Sequence, residues 1–289
     1  MEIVPARGWE GLARELLSRK GTAVLIGASD AGKSTLARFL LKKLVNGSAS
    51  VCLVDADVGQ SSLGLPAVIA AKIFRRPADL ERFRPDAIFF AGIINPAKNI
   101  PQMVYGTGEM AAFCKRGKAG ITLVDTTGLI SGWAGRALKL GKIHLLKPRH
   151  IVAIEKKGEL EHILSALKPE DFNFSVHRLK PSGLAHSTGR QRRSSYRQEK
   201  FRNYFRGANV VKFPSAGAGL FSRGKPLGPM AGGLKPGCLL GLQRGRIALG
   251  LGVFVGADAA GVFVKTPLSP GSVKKVDNIC AGEITIEAD

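Results

Sequence analysis

Two clusters of residues near the start of the chain have the types and spacing of phosphate chemistry. The first is Gly27, Ala28, Ser29, Asp30, Ala31, Gly32, Lys33, Ser34 and Thr35, a complete G-x-x-x-x-G-K-[ST] pattern. Its glycines let the backbone wrap closely, so that successive N–H groups and a helix N-terminus face phosphate oxygens. Lys33 is then placed for the β- and γ-phosphates of a nucleoside triphosphate, and the Ser34 hydroxyl for Mg²⁺. The second cluster is Asp55, Ala56, Asp57, Val58, Gly59 and Gln60, a D-x-D-x-G-Q turn. Carboxylates here can hold a metal ion or accept the proton of an acceptor hydroxyl. Ser34, Asp55 and Asp57 are therefore the candidate metal ligands, and the Gln60 amide is placed to orient a phosphate or a nucleophile. The pair points to phosphoryl transfer onto a second molecule.

Such loops need rigid elements to hold them. Residues 22–26 are a short aliphatic run that reads as a buried strand, and residues 33–45 carry apolar side chains at helical spacing before Asn46-Gly47 stops the helix. Strand, glycine-rich loop and helix is the context the first motif requires. Further strands are expected at 50–54, 87–91, 121–125, 151–154 and 174–179, and helices at 9–17, 100–114 (interrupted by Gly106 and Gly108), 133–147 and 159–167; residues 60–86 read as loop and helix. This alternation predicts an α/β fold: a P-loop NTPase with a Rossmann-like parallel sheet covered by helices on both faces, and catalytic loops at the carboxyl ends of the strands. After residue 181 the character changes. Residues 208–289 are rich in Gly, Pro and Val and read as a small C-terminal β-domain. The expected division is a kinase core at 1–181, a basic lid segment at 182–207 and the β-rich domain at 208–289.

Composition bounds the partners. There are 43 Lys plus Arg against 22 Asp plus Glu, a net charge of +21, which suggests a polyanion, most simply nucleic acid. Cys52, Cys114, Cys238 and Cys280 form no C-x-x-C pair, so neither a zinc site nor a disulfide framework is expected, and a reducing cytoplasm fits. The start of the chain does not resemble a signal peptide, and residues 247–264 read as strands joined by a turn, so no membrane is expected.

Two more segments carry chemistry. Asp125, Thr126, Thr127 and Gly128 follow a strand and resemble both a Walker B ending and a D-x-x-G switch, but no N-K-x-D guanine motif accompanies them. Residues 189–202 place Arg193, Arg197 and Lys200 on one helical face, as a nucleic-acid arm or as a lid over the transferring phosphoryl group.

The order G-x-x-D-x-G-K-S-T, D-x-D-x-G-Q, D-T-x-G and R-x-x-K-x-x-x-Y-F-x-G resembles the polynucleotide 5′-hydroxyl kinase family. That family includes the kinase subunit of eukaryotic mRNA 3′-end cleavage, the kinase of pre-ribosomal RNA processing, and archaeal members. The resemblance covers roughly residues 20–207. It implies an enzyme that uses ATP and Mg²⁺ to phosphorylate the 5′-hydroxyl of RNA, with protein partners unspecified. It further implies that Gly27 to Thr35 cradle ATP, that Lys33 bridges the phosphates, and that Asp57 acts on the 5′-hydroxyl. Gln60, Thr126, Thr127 and Gly128 would clasp the RNA end, and Arg193 and Arg197 would be lid arginines. Three departures stand out: Leu129 replaces a base-stacking tryptophan, Lys200 replaces an arginine, and the N-terminal β-domain of larger members is missing. The alternative is a basic P-loop ATPase that binds RNA or a ribosomal particle and uses ATP as a switch, without kinase activity.

Overall fold

The computed structural model describes residues 4–47, 49–181, 189–215, 217–222, 224–227 and 233–286. Residues 182–188, the first part of the expected lid segment, lie outside the described residues.

The strands are β1 (Thr22–Gly27), β2 (Val51–Ala56), β3 (Val68–Phe74), β4 (Ala87–Phe90), β5 (Ile121–Thr126), β6 (His150–Ile154), β7 (Ser175–Leu179), β8 (Asn209–Pro214), β9 (Gly219–Ser222), β10 (Lys225–Pro226), β11 (Cys238–Arg244), β12 (Ile247–Asp258), β13 (Gly261–Thr266) and β14 (Asn278–Thr285). The helices are α1 (Trp9–Ser18), α2 (Lys33–Asn46), α3 (Ile100–Arg116), α4 (Gly132–Leu146), α5 (Glu161–Leu164), α6 (Arg190–Phe205) and α7 (Pro270–Val273). In the order β2-β5-β1-β6-β7 every neighbouring pair is parallel. Strands β1, β2, β5 and β6 are almost wholly buried because helices cover them on both sides, whereas the edge strand β7 alternates between half-buried and exposed residues. Helices α1 and α2 bury Trp9, Leu16, Leu36, Leu40 and Leu44 against one face. Helices α3, α4 and α5 bury Met103, Met110, Leu138, Ile143 and Ile163 against the other.

The sheet is mixed rather than purely parallel. Residues 60–86, expected as loop and helix, contain β3, which runs antiparallel to β2 and to β4. All seven β3 residues are buried, and an apolar run without alternation cannot be told from a helix by periodicity alone. Through one antiparallel contact, Ala248 opposite Ile88, β4 joins β12 and the C-terminal strands, making a single sheet of fourteen strands among the described residues. Those strands also enclose a core of their own around Phe213, Leu240, Leu242, Phe254, Val264 and Ile279.

Three local expectations change. Helix α3 runs through Gly106 without a break; a Cβ there would strike the Phe89 ring, so this glycine allows close packing on β4. The helix expected at 159–167 shortens to four residues. Cys52 of β2 and Cys114 of α3 are joined by a disulfide, their Cα atoms 5.7 Å apart and both residues fully buried. Cysteines 62 residues apart give no local spacing signal; only the packing of α3 on β2 brings them together. Among the described residues no helix is long and apolar enough to cross a membrane.

Candidate active site

Strands β1, β5 and β2 are neighbours, so the loops at their carboxyl ends meet at one point. Asp125 is the register partner of both Leu25 and Asp55. The first motif forms the loop after β1. Gly32 and Asp30 take left-handed backbone angles (φ 90° and 59°) that turn the chain into α2, a conformation glycine adopts freely and aspartate tolerates. A Cβ at Gly27 would lie 2.6 Å from the Ile154 carbonyl, and one at Gly128 would collide with the Ser29 backbone, so the loops after β1 and β5 touch. The Lys33 ammonium folds back and donates to the Ala28 carbonyl at 2.7 Å. Burial lowers its pKa, while Asp125, Asp57 and Asp30 pull the other way.

The two carboxylates of the second motif do different things. Asp55 is fully committed to its own loop. Its Oδ2 accepts from the Ser61 hydroxyl, the Ser62 N–H and hydroxyl, and the Leu63 N–H, and its Oδ1 accepts from the Asp57 N–H. Asp57 uses Oδ1 alone to close its turn, accepting from the N–H groups of Gly59 and Gln60 at 3.0 Å each. Of the expected metal set of Ser34, Asp55 and Asp57, neither acid accepts a hydrogen bond from the Ser34 hydroxyl. The carboxylate beside Ser34 belongs to Asp125, whose Oδ2 accepts from the Ser34 hydroxyl at 2.5 Å. Its Oδ1 is buried with no hydrogen-bond partner among the described residues.

Burial, reinforced by the charge of Asp55, pushes the Asp125 carboxyl up to about 7. Between its unfolded value of 3.8 and about 7 the folded chain holds the extra proton, so this group's penalty on folding is absent below pH 4, grows with pH, and is complete above pH 7. Asp125→Asn in the nucleotide-free protein should therefore raise Tm at pH 8, by roughly 2–4 °C per kcal/mol recovered, with the gain vanishing toward pH 4. Thermal unfolding across pH checks this; a variant no more stable than the parent at pH 8 would contradict it.

Behind the loop after β5 lie two groups that the motifs did not reveal. Lys139 is fully buried and donates to Thr126 Oγ1 at 2.8 Å and to the Thr127 carbonyl at 2.5 Å. Thr126 Oγ1 in turn donates to the Leu25 carbonyl at 2.7 Å, tying this loop to the strand of the phosphate loop. Lys142 is fully buried with its ammonium unpartnered among the described residues. Burial drives the Lys139 pKa far down, helped by the positive charges of Lys142 and Lys33. Lys142 is pushed down to about 8 by burial, opposed by Asp57, Asp55 and Asp125. The available signal was that Leu138, Lys139, Lys142 and Ile143 share the buried stripe of α4.

Helix α6 lies across this centre. Phe201 buries in the core and Tyr204 Oη accepts from the Leu251 N–H at 2.8 Å, which anchors its C-terminal end. Toward the N-terminal end, Arg193 Nη2 stands 3.6 Å from Asp30 Oδ2, and Tyr196 Oη donates to the Ser61 carbonyl at 2.8 Å. Lys200 sits over the Tyr196 ring, 5.4 Å from its centroid. The helix separates two cavities. One, of about 810 Å³, is lined by Ser34, Thr35, Arg38, Gln60, Arg193 and Tyr196. The other, of about 660 Å³, is lined by Ile94, Arg197, Arg202, Phe205, Arg206 and Lys265. Arg193 and Arg197 thus line different cavities. Thr126 and Thr127 are buried, and Leu129 packs partly into the core.

Comparison with known proteins gives this arrangement a context. Residues 27–207 match the family described as mRNA cleavage and polyadenylation factor CLP1 P-loop. A polyribonucleotide 5′-hydroxyl-kinase of Pyrococcus furiosus is 37% identical over 198 residues, which cover 68% of this chain and 54% of that protein. One of Methanocaldococcus jannaschii is 38% identical over 188 residues, 65% of this chain and 51% of that protein. The chain spans about half the length of these relatives. In the solved complex of wild-type Clp1p with Pcf11p (454–563), a similar fold covers 96% of this chain and 79% of that one, with a TM-score of 0.75 at 12% identity.

Proposed function

The chain belongs to the CLP1 P-loop family, and from that premise we propose that it is an ATP-dependent polynucleotide 5′-hydroxyl kinase that transfers the γ-phosphate of ATP to the 5′-end of RNA. The observation that carries this reading is the pairing of a complete phosphate loop with Asp57, whose Oδ2 stays outside the turn that Oδ1 closes. A nucleotide switch has no acceptor hydroxyl to deprotonate. A transferase needs a base for the acceptor hydroxyl.

The roles follow from position. Backbone N–H groups of residues 28–34 would cradle the β- and γ-phosphates, with Lys33 released from Ala28 to neutralise them. The residues present fit Mg²⁺: the orphaned Asp125 Oδ1 and the neighbouring Ser34 hydroxyl are hard oxygen donors. Bound there, the ion would neutralise charge on the phosphate oxygens. Asp55 would act as the anchor that fixes residues 57–63, and Asp57 Oδ2 would take the 5′-hydroxyl proton. Lys139 would hold the Thr126-Thr127 loop in place, with Gln60, Thr127 and Gly128 around the acceptor. We retain the division into a core at 1–181, a lid at 182–207 and a β-rich domain at 208–289. A cytoplasmic setting fits this reading; the Cys52–Cys114 bridge is sealed in the core, away from soluble reductants.

The test is incubation with γ-labelled ATP, Mg²⁺ and 5′-hydroxyl oligonucleotides of RNA and DNA. Label should appear on 5′-hydroxyl RNA and not on RNA already 5′-phosphorylated. ATP hydrolysis without a labelled oligonucleotide would overturn the proposal.

The division made by α6 separates two kinetic effects. Arg193, on the phosphate-loop side, is placed to stabilise charge that spreads over the transferring group. Arg193→Ala should lower kcat by roughly 10 to 10³, as a weaker arginine finger would. Arg202 and Arg206 line the other cavity, which carries Arg197 and Lys265 and, among the described residues, no acidic side chain. That cavity suits the downstream strand, so Arg202→Ala and Arg206→Ala should chiefly raise KM for RNA. Steady-state kinetics on these variants decides; unchanged kcat in Arg193→Ala would remove it from the transfer site.

A further inference from the structure

We infer that His150 and His177 form a binding site for a divalent transition-metal ion of the zinc class, with Glu15 orienting the second imidazole. The site lies where β6 and β7 begin, at the opposite end of the parallel strands from the phosphate loop, and no step of the proposed reaction uses it. His150 is fully buried. The three side chains offer ligand atoms that lie within 4.8 Å of one another.

Four ring nitrogens must share too few protons here. His150 Nε2 is 2.6 Å from the Arg19 carbonyl oxygen, which can only accept, so Nε2 carries a proton. In the neutral ring His150 Nδ1 is then a lone pair, 3.0 Å from His177 Nε2. The remaining nitrogen, His177 Nδ1, faces Glu15 Oε2 at 3.7 Å. A neutral His177 has one proton to place. Placed on Nε2, it satisfies His150 but sets the Nδ1 lone pair against the Glu15 carboxylate. Placed on Nδ1, it satisfies Glu15 but sets two nitrogen lone pairs against each other at 3.0 Å. The first arrangement leaves the Nδ1 lone pair 3.7 Å from a carboxylate at the solvent rim, and the second leaves two ring lone pairs in contact.

A metal ion resolves the conflict. It accepts the lone pairs of His150 Nδ1 and His177 Nε2, while Nδ1–H of His177 donates to Glu15 and Nε2–H of His150 donates to Arg19. Each ligating imidazole then has its outer N–H on a carboxylate or a backbone carbonyl, the arrangement that fixes tautomer and ring orientation in metal sites. Zinc–nitrogen bonds of about 2.0–2.1 Å span the observed gap with an angle near 90°, and a widening of a few tenths of an ångström reaches the tetrahedral angle. Arg19 pairs with the other Glu15 oxygen, Oε1, at 3.7 Å, which leaves Oε2 to His177. Water can complete the coordination, since Glu15 and the rim of His177 reach solvent. The competing way to satisfy all four nitrogens is a second proton on His177.

The test uses the whole chain, freed of metal with a chelator and without nucleotide, and Zn²⁺ as the probe, with Mg²⁺ as the control ion. The parent should take up one equivalent of zinc in competition with a chromophoric chelator, and its Tm should rise with zinc but not with Mg²⁺. His177→Gln, on a partly exposed edge strand, should lose both responses while still binding ATP, which shows that it folds. Glu15→Gln should weaken zinc by about 10- to 100-fold, the usual cost of losing an outer-shell partner. Substituting Co²⁺ in the parent should give visible ligand-field bands without thiolate charge transfer, separating this site from Cys238 and Cys280. Parental zinc uptake by His177→Gln, a thiolate band with Co²⁺, or no uptake by the parent would each overturn the inference, the last leaving the pair satisfied by a proton.

Discussion

Lys33→Ala is expected to reduce phosphoryl transfer by about 10³ or more, the scale set by removing one preorganised cation or oxyanion donor from a phosphoryl-transfer site. The side chain is 6% exposed and held against the Ala28 carbonyl, so its ammonium waits inside a site from which water is largely excluded. There a charge is worth more than in water, and the group needs no long rearrangement to meet the phosphates. Loss of the side chain also removes one of the cations that offset Asp125, Asp57 and Asp30. Affinity for ATP should fall as well, because the same ammonium contacts the ground state. Lys33→Met keeps the apolar stem and removes only the charge, so it should fail as completely as alanine. Single-turnover transfer at saturating ATP measures the chemical step directly; either variant turning over at the parental rate would remove Lys33 from the centre.

That centre gathers four carboxylates, Asp30, Asp55, Asp57 and Asp125, and three buried lysines, Lys33, Lys139 and Lys142. The motifs made the first half of this inventory legible. A phosphate loop and a D-x-D-x-G-Q turn are contiguous, and their glycines and acids report local backbone geometry whatever surrounds them. The elements that carry them were equally legible, because β1, β2 and β5 are aliphatic runs and α2 follows its loop with helical spacing. What escaped depends on packing across the sheet. The resemblance singles out Asp57, but nothing in the spacing marks Asp55 as an anchor; that role comes from the donors of Ser61, Ser62 and Leu63. Lys139 and Lys142 look like ordinary helix surface until α4 turns that stripe inward. The division of α6 into two flanks, with Arg193 on one and Arg197 on the other, depends on where Phe201 and Tyr204 dock. The histidine pair is hidden for the same reason, since His150 and His177 meet only because β6 and β7 are neighbours.

The second large effect is expected at Asp57. Asp57→Asn should keep the fold, because asparagine Oδ1 can still accept from the Gly59 and Gln60 N–H groups and close the turn as the carboxylate does. It should keep much of the ATP affinity, since the loop of residues 28–34 is untouched. It should lose transfer by about 10² or more, the contribution of a positioned general base, because the amide that replaces Oδ2 cannot take a proton. The loss should fall on kcat at saturating RNA. The comparison that gives this meaning is Asp55→Asn. Asp55 accepts from five donors that hold residues 57–63, and an amide NH₂ in place of one oxygen sets donor against donor. That variant should lose thermal stability as well as activity, whereas Asp57→Asn should lose activity at nearly unchanged Tm. Rates and melting temperatures on the two proteins separate a chemical role from a structural one. If Asp57→Asn transferred phosphate as fast as the parent, the proton would have to leave through another carboxylate, first Asp125, whose buried Oδ1 has no hydrogen-bond partner among the described residues.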